Sequence, residues 1–291
     1  QSVMTTELIT APTSTSLTEA YECMKKSRKK VLPLIDETGR LVGMYALSDV
    51  KRIILGNSPT FNVDGKGSLR VAAAVGSGDD ALMRIDCFPK DIDVVVIDTA
   101  HGDSRSVLET LKAIKALGLG FDVVVGNVSE AESARRLATA GADGIKVGQG
   151  PGSICTTRIV AGIGCPQLTA IHNCAKAIRG SGVSICADGG ISTSGHIPKA
   201  IGAGADCVML GRILAGCDEA PGQRIMYQGQ PMKAYRGMGS LGAMQSRGSR
   251  ERYGQGAVPH NKLVPEGIEG VVPYSGSVKD VAHQLMGGLQ A

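Results

Sequence analysis

The sequence Gly144-Ile-Lys-Val-Gly-Gln-Gly-Pro-Gly-Ser-Ile-Cys-Thr-Thr157 joins a short apolar strand to a glycine-rich turn that carries one cysteine, Cys155. The glycines of this turn allow positive φ and let backbone N–H groups approach a ligand closely. Successive N–H groups of this kind form a nest that suits a phosphate, and a positive potential there favours a nucleophilic thiolate. The stretch therefore predicts a strand whose carboxyl end carries a nucleophile and a phosphate-binding loop.

The pattern of a short, β-branched strand followed by a helix recurs from about residue 70 onward. Such strands are typically buried on both faces, and their alternation with helices predicts a parallel α/β sheet. The length of 291 residues favours a (β/α)8 TIM-type barrel, of which six of eight strands are visible. The predicted strands are 69–75, 93–98, 121–125, 144–147, 183–187 and 207–210, and the predicted helices between them are 104–117, 130–140, 167–179 and 197–204.

Residues 1–60 form a different pattern, which we interpret as a small α+β segment with a linker. A strand-like start, a helix at 17–26, strands at 30–35 and 41–46 and a second helix from 48 resemble a single CBS motif. CBS motifs normally work in pairs and often bind adenine nucleotides, so the resemblance implies nucleotide binding at a CBS module. Because only one motif is visible, a regulatory role and a purely structural one stay open. Residues 61–291 are then the barrel portion.

The amino-acid composition argues against several classes of function. The net charge is +4 and the basic residues are dispersed, while Trp is absent and Phe occurs three times. Neither feature is typical of a protein whose main partner is nucleic acid. The eight cysteines form no Cys-x-x-Cys pair and show no zinc-ligand spacing with His, which favours a reducing, cytoplasmic location. No apolar run is long enough to cross a bilayer, so we expect no membrane partner.

Polar or glycine-rich turns follow five consecutive predicted strands. Catalytic residues of TIM barrels come from these strand ends, so the turns are expected to meet at one site. The carboxylate of Asp188 can accept hydrogen bonds from two ribose hydroxyls. Ser153, Gly190 and Gly211 can donate hydroxyl or backbone N–H groups to a phosphate. The turns begin at Asp98, Asn127, Gly148, Asp188 and Gly211.

Four segments, 148–157, 188–190, 235–244 and 263–270, together resemble the IMP dehydrogenase/GMP reductase family. The resemblance covers essentially the whole chain and implies a C-terminal portion, without the first two barrel strands and the first CBS motif. In this family a cysteine attacks C2 of the purine of a nucleoside monophosphate, and Cys155 holds that position. The resemblance also implies a homotetramer.

The resemblance implies three ligands: IMP, NAD and a monovalent cation, usually K⁺. Asp98 would hold the nicotinamide ribose, and Glu266 would meet the hypoxanthine edge. NAD would lie across the barrel mouth, since no Rossmann fingerprint is present. The implied IMP residues are Ser153, Asp188, Gly189, Gly190, Gly211, Arg212, Tyr235, Arg236, Gly237, Met238, Gly239 and Glu266; the NAD residues are Asp98, Asn127, Gly148, Gln149 and Gly150; the cation ligands are carbonyls of Gly150, Gly152 and Cys155.

Residues 245–262 are polar and glycine-rich, and we expect them to form a mobile flap. The pair Arg252-Tyr253 matches the family's flap, where the arginine is the general base that hydrolyses the covalent intermediate. The implied catalytic set is Cys155, Thr157, Arg252 and Tyr253. Arg212 and Gly254 depart from the family pattern, which has a small residue and an aromatic residue at these positions.

Three functions stay open on the sequence. An NAD-dependent IMP dehydrogenase is favoured because of the Arg252-Tyr253 pair. A GMP reductase shares the cysteine loop but uses NADPH and needs no hydrolytic flap. A non-catalytic nucleotide-binding remnant would bind nucleotide without forming an adduct on Cys155.

Overall fold

A computed structural model of the protein describes residues 8–54, 62–89 and 91–291. The chain divides into two compact units, Gln1–Leu69 and Arg70–Ala291, so the division lies slightly later than the predicted boundary at 60. Residues 55–60, the end of the predicted CBS segment and linker, lie outside the described residues. Within the described ranges, every helix is too short or too polar to span a bilayer.

In the described part of the first unit, a three-stranded sheet is packed with two helices. Strand β1 pairs in parallel with β2, and β2 pairs antiparallel with β3. The Ser16 side chain accepts the Glu19 N–H while the Glu19 carboxylate accepts the Ser16 N–H, a capping box that fixes the start of α1. The elements are β1 (Ala11–Pro12), α1 (Leu17–Ser27), β2 (Val31–Ile35), β3 (Leu41–Ala46) and α2 (Leu47–Ile54).

The second unit is built on six parallel strands whose spatial order equals their order in the chain. Sequential order with helical crossovers is the topology of a curled (β/α)-barrel sheet, which confirms the predicted fold class. Its elements are β4 (Ala72–Val75), α3 (Asp79–Ile85), β5 (Val94–Asp98), α4 (Arg105–Ala116), β6 (Asp122–Val128), α5 (Ala131–Thr139), β7 (Gly144–Val147), α6 (Thr157–Val160), α7 (Gln167–Ala177), β8 (Ser184–Asp188), α8 (His196–Gly202), β9 (Cys207–Met209) and α9 (Arg212–Ala215).

The two faces of this sheet have different tasks. Alternate residues such as Val95, Ile145 and Ile185 are fully buried in the hydrophobic core that the helices cover. Residues of the opposite parity, including Asp98 and Lys146, lie on the other face. Strand parity thus places Asp98 and Lys146 on the face opposite the core, toward the carboxyl ends of their strands.

A three-stranded antiparallel sheet after α9 was missed by the sequence analysis. Tyr235 and Arg236, predicted to lie in a loop, end its central strand. A signal was present, because Gln228 and Gly229 form a two-residue hairpin turn with positive φ at both positions. The remaining elements are β10 (Arg224–Tyr227), β11 (Gln230–Arg236), α10 (Arg247–Arg252), β12 (Glu269–Pro273) and α11 (Val278–Gln290).

Candidate active site

The glycine-rich loop after β7 is held against the end of β8. Gly148 has φ of 147°, and a Cβ there would lie 2.1 Å from the carbonyl oxygen of Asp188. A Cβ on Gly189, whose φ is 91°, would lie 2.8 Å from Pro151. Only glycine tolerates this close approach, so the glycines of the two turns bring the predicted thiol loop and the predicted ribose carboxylate together.

Cys155 begins a chain of side-chain hydrogen bonds. Its thiol donates to the Thr157 hydroxyl at 3.2 Å, and that hydroxyl donates to Oε2 of Glu266 at 2.7 Å. The backbone also joins the two segments, because the Thr156 N–H donates to the Glu266 carbonyl oxygen at 2.8 Å. Glu266 was expected at the substrate's base edge; in the structure its carboxylate is bound to Thr157, next to the nucleophile.

Asp98, at the end of β5, is engaged by two cations. Its Oδ1 lies 2.6 Å from the Lys146 ammonium, and its Oδ2 forms an ion pair with Arg252. Burial alone would raise the pKa of Asp98, but the hydrogen bond from Arg252 and the charge of Lys146 outweigh it, so the pKa lies below its usual value. This carboxylate is ionised at neutral pH.

Asp188, at the end of β8, shares the same lysine. Its Oδ2 accepts from Lys146 at 2.6 Å and from the Asn127 amide at 2.8 Å. The sequence had suggested that Asn127 follows a strand, whereas in the structure it lies inside β6. Its amide also donates to the Gly148 carbonyl oxygen at 2.6 Å. The Oδ1 of Asn127 is buried and has no hydrogen-bond partner in the described residues, so it can accept from a ligand.

Lys146 is a site residue that the sequence analysis missed. It is 2% exposed, in the middle of a strand buried on both faces. A signal existed, because a lysine between Ile145 and Val147 in an apolar strand must find a carboxylate partner.

The predicted flap residues lie in this site. The Arg252 carbonyl oxygen accepts the Ala100 N–H at 3.0 Å, which places α10 over the end of β5. Burial lowers the pKa of Arg252, but the hydrogen bond and charge of Asp98 more than offset this and raise it. The Tyr253 ring packs against Gly239, and burial raises the pKa of its phenol.

A cleft of about 870 Å³ is lined by Cys155, Thr157, Asn127, Asp188 and Arg252, and this volume is enough for a nucleotide-sized ligand. Its outer part, not anticipated from the sequence, contains the ion pair of Asp103 with Arg136. Five predicted residues, Asp98, Ser153, Gly190, Gly211 and Arg212, are absent from the lining, although Gly211 is next to the Tyr235 hydroxyl. The predicted residues that line it are Asn127, Gly148, Gln149, Gly150, Gly152, Cys155, Thr157, Asp188, Gly189, Tyr235, Arg236, Gly237, Met238, Gly239, Arg252, Tyr253 and Glu266.

The described residues hold no side-chain metal centre. Across residues 8–54, 62–89 and 91–291, no group of three or more His, Cys, Asp or Glu side chains is arranged to hold a metal ion. The predicted cation ligands are backbone carbonyls, and of these the Gly152 oxygen accepts the Cys155 N–H at 3.1 Å.

Several known proteins are similar to this chain over nearly its whole length. A family model described as IMP dehydrogenase / GMP reductase domain matches residues 14–291. The chain is 51% identical over 291 residues to inosine-5'-monophosphate dehydrogenase of Halalkalibacterium halodurans, covering 99% of this chain and 59% of that protein. It is 53% identical over 286 residues to the enzyme of the same name from Aquifex aeolicus, covering 98% and 57%. The chain therefore spans less than two thirds of the length of these relatives.

A solved structure is similar as well. GMP reductase from Trypanosoma brucei, in complex with guanosine 5'-monophosphate, has a TM-score of 0.80 and 43% sequence identity to this chain. The match covers 98% of this chain and 58% of that one.

Proposed function

Because this chain belongs to the IMP dehydrogenase/GMP reductase family, we propose that it forms the catalytic portion of an NAD-dependent IMP dehydrogenase, which oxidises IMP to XMP for guanine nucleotide biosynthesis. One observation carries the choice of the dehydrogenase. Arg252 and Tyr253 line the same cleft as Cys155 and Thr157. A hydrolytic reaction needs such a group beside the nucleophile, whereas a reductive deamination does not.

In the proposed reaction the Cys155 thiolate adds to C2 of IMP. The hydride at C2 then leaves, and a covalent thioimidate remains on Cys155. NAD, when bound, supplies the acceptor for that hydride. Water next attacks C2, the bond to sulfur breaks, and XMP and the free thiol are formed.

Water activation is assigned to Arg252, with help from Tyr253 and Thr157. The ion pair with Asp98 stabilises the charged guanidinium, so the pair must loosen before Arg252 can take a proton from water. Thr157 is well placed to help, because its hydroxyl connects the nucleophile with the Glu266 carboxylate.

Asp98, Asn127, Gly148, Gln149 and Gly150 would hold NAD. Their fit is supported by the unpartnered Oδ1 of Asn127 and by the size of the cleft. Arg252 is ion-paired with the Asp98 carboxylate to which the nicotinamide ribose would bind. The flap and the dinucleotide would therefore bind at this carboxylate alternately. Such exchange is a gating step of a kind that often limits turnover.

Substrate binding is assigned to the turns around Asp188 and Tyr235. The ribose would bind Asp188. The phosphate would be bound by Ser153, Gly189, Gly190, Gly211 and Arg212. The segment Tyr235–Gly239 would contact both phosphate and base. The positive φ of both Gly189 and Gly190 supports a backbone nest for an anion.

The finer parts of the proposal are a K⁺ ion at the carbonyls of Gly150, Gly152 and Cys155, a homotetramer, an adenine or guanine nucleotide at the first unit, and a cytoplasmic location. The position of all three residues in one glycine-rich loop supports the cation. Replacing K⁺ by Li⁺ in the assay would test it, and light scattering would test the tetramer.

The assay that tests the function mixes the protein with IMP and NAD and follows NADH and XMP. We expect both products, none with Cys155→Ala, and the parental rate with Cys87→Ala, an exposed cysteine outside the site. GMP reductase is the second candidate, favoured by the likeness to the Trypanosoma brucei enzyme. Formation of IMP and ammonia from GMP and NADPH, with no XMP in the first assay, would establish it instead.

A further inference from the structure

Lys146 connects two carboxylates that serve different parts of the site. Its ammonium lies 2.6 Å from Oδ1 of Asp98 and 2.6 Å from Oδ2 of Asp188. The lysine side chain is 3% exposed, so water does not screen these contacts. A single buried cation therefore bridges two anions at the ends of β5 and β8.

The sheet is built to permit this arrangement. Asp98 pairs in register with Gly126, and Gly126 pairs with Lys146. Gly126 has no side chain between them, and a Cβ there would lie 2.6 Å from the Lys146 Cβ. The lysine can reach across β6 because that position is glycine. On the other side, Lys146 pairs in register with Cys186 of β8, and Asp188, two residues further on, lies on the same face as Cys186.

The charges in this cluster balance when all four groups are present, and removal of any single one leaves a net charge. Lys146 and Arg252 supply two positive charges, and Asp98 and Asp188 supply two negative charges. Asn127, from the strand between, adds a neutral amide on Asp188. Loss of the lysine leaves one uncompensated carboxylate in a buried site, which is strongly unfavourable and which would repel an anionic substrate.

We propose that Lys146 is a positioning residue that couples the two ribose subsites: by compensating the charge of Asp98 it keeps Asp188 in place to bind the ribose of a nucleoside monophosphate. This inference rests on the proposed function, which assigns Asp188 to the substrate and Asp98 to the dinucleotide or to Arg252. Lys146 itself touches neither substrate nor cofactor in this scheme.

The test is a double-mutant cycle read by calorimetric titration of IMP alone, without NAD. Lys146→Met is expected to weaken IMP binding by at least about tenfold. Asp98→Asn in the parent is expected to change it by less than about threefold or to tighten it. In the Lys146→Met protein, Asp98→Asn restores charge balance and is expected to recover at least about tenfold in affinity, because removing one carboxylate then relieves the uncompensated charge.

Two further variants sharpen the result. Lys146→Arg keeps the charge and is expected to bind IMP much better than Lys146→Met. Lys115→Met removes a lysine that is ion-paired with Asp143 outside the cleft, and it is expected to bind IMP as the parent does. Should Lys146→Met fail to fold, the charge-balanced double variant decides: we expect it to fold and to bind IMP, and its failure would overturn the coupling.

The two levels of the proposal fail differently. If Asp98→Asn has the same effect with and without Lys146, or if Lys146→Met binds IMP like the parent, the coupling is wrong and the proposed function stands. If the unaltered protein binds no IMP, the proposed function is wrong and the coupling falls with it.

Discussion

The guanidinium of Arg252 forms an ion pair with the carboxylate of Asp98, which joins α10 to the carboxyl end of β5. Both groups are largely buried, with side-chain exposures of 16% and 26%. The contact therefore contributes more than a solvent-exposed pair would. It also fixes the position of Tyr253 at the cleft, close to the nucleophile.

The pH dependence of stability follows from this pair. The pKa of Asp98 in the folded protein lies below the 3.8 of an ordinary Asp. A depressed pKa gives stability that is fully present above the unfolded value and is lost as pH falls through the folded value. The free energies of unfolding of the parent and of Asp98→Asn, measured by urea denaturation, should therefore differ most near neutral pH and converge below about pH 4. A difference that grows on acidification would contradict the assignment.

Gly148 should tolerate no side chain. In Gly148→Ala the new methyl would meet the Asp188 carbonyl oxygen, and the backbone would also be strained. We expect a loss of roughly 3 kcal/mol or more in the free energy of unfolding. Gly162→Ala is the matched control, since its φ is 68° and nothing lies within 4 Å of the added Cβ. Strain alone should cost it about 1 kcal/mol. Equal losses in the two variants would show that the close approach at Gly148 has no energetic weight.

Thr157 should matter through its hydroxyl. Thr157→Val keeps the shape but leaves Oε2 of Glu266 without the 2.7 Å hydrogen bond from the hydroxyl. Under the proposed function, release of XMP should slow by about tenfold to a hundredfold while hydride transfer changes less. Thr157→Ser retains the hydroxyl and should stay close to the parent. Rapid-quench measurement of the two steps distinguishes them, and equal slowing of both steps by Val would argue for a packing role.

Lys233 stabilises the turn between α9 and β10. It is 4% exposed, and its ammonium donates to the carbonyl oxygens of Cys217, Asp218 and Ala220. Lys233→Met would leave these oxygens unpaired, and we expect a loss of roughly 3 kcal/mol in thermal or urea unfolding. Lys115→Met removes a more exposed pair with Asp143 and should cost below about 1 kcal/mol. A similar small loss for both lysines would contradict the role given to Lys233.

The parallel sheet could be predicted because its strands are short, apolar and separated by helical stretches. Hydrophobic periodicity reports which residues are buried, and in β5 to β8 burial and secondary structure coincide. The antiparallel sheet was missed because β10 is mostly exposed, β11 is only partly buried, and both lack the regular alternation that marks a strand. The hairpin turn at Gln228 and Gly229 was a local signal of this sheet, but the strands on either side of it gave no clear hydrophobic pattern to support it.

The candidate site was predictable in part. Glycine turns and strand-end carboxylates are local features, so Cys155, Asp98 and Asp188 could be named from the sequence. Pairings across the sheet are not local, and the position of Lys146 opposite Gly126 depends on strand register. Likewise, the contact of Arg252 with Asp98 depends on how a distant segment folds back. Which of the named residues bind a ligand stays a prediction.

The proposed reaction requires Cys155 to form a covalent intermediate that Arg252 then hydrolyses. The most direct measurement mixes Arg252→Ala with IMP and NAD, follows NADH, and examines the Cys155 peptide by mass spectrometry, with the exposed Arg135→Ala as control. We expect a burst of NADH close to one per site, then arrest, with a nucleotide bound to Cys155, while Arg135→Ala turns over like the parent. Sustained turnover by Arg252→Ala, or a burst with no adduct on Cys155, would contradict the account.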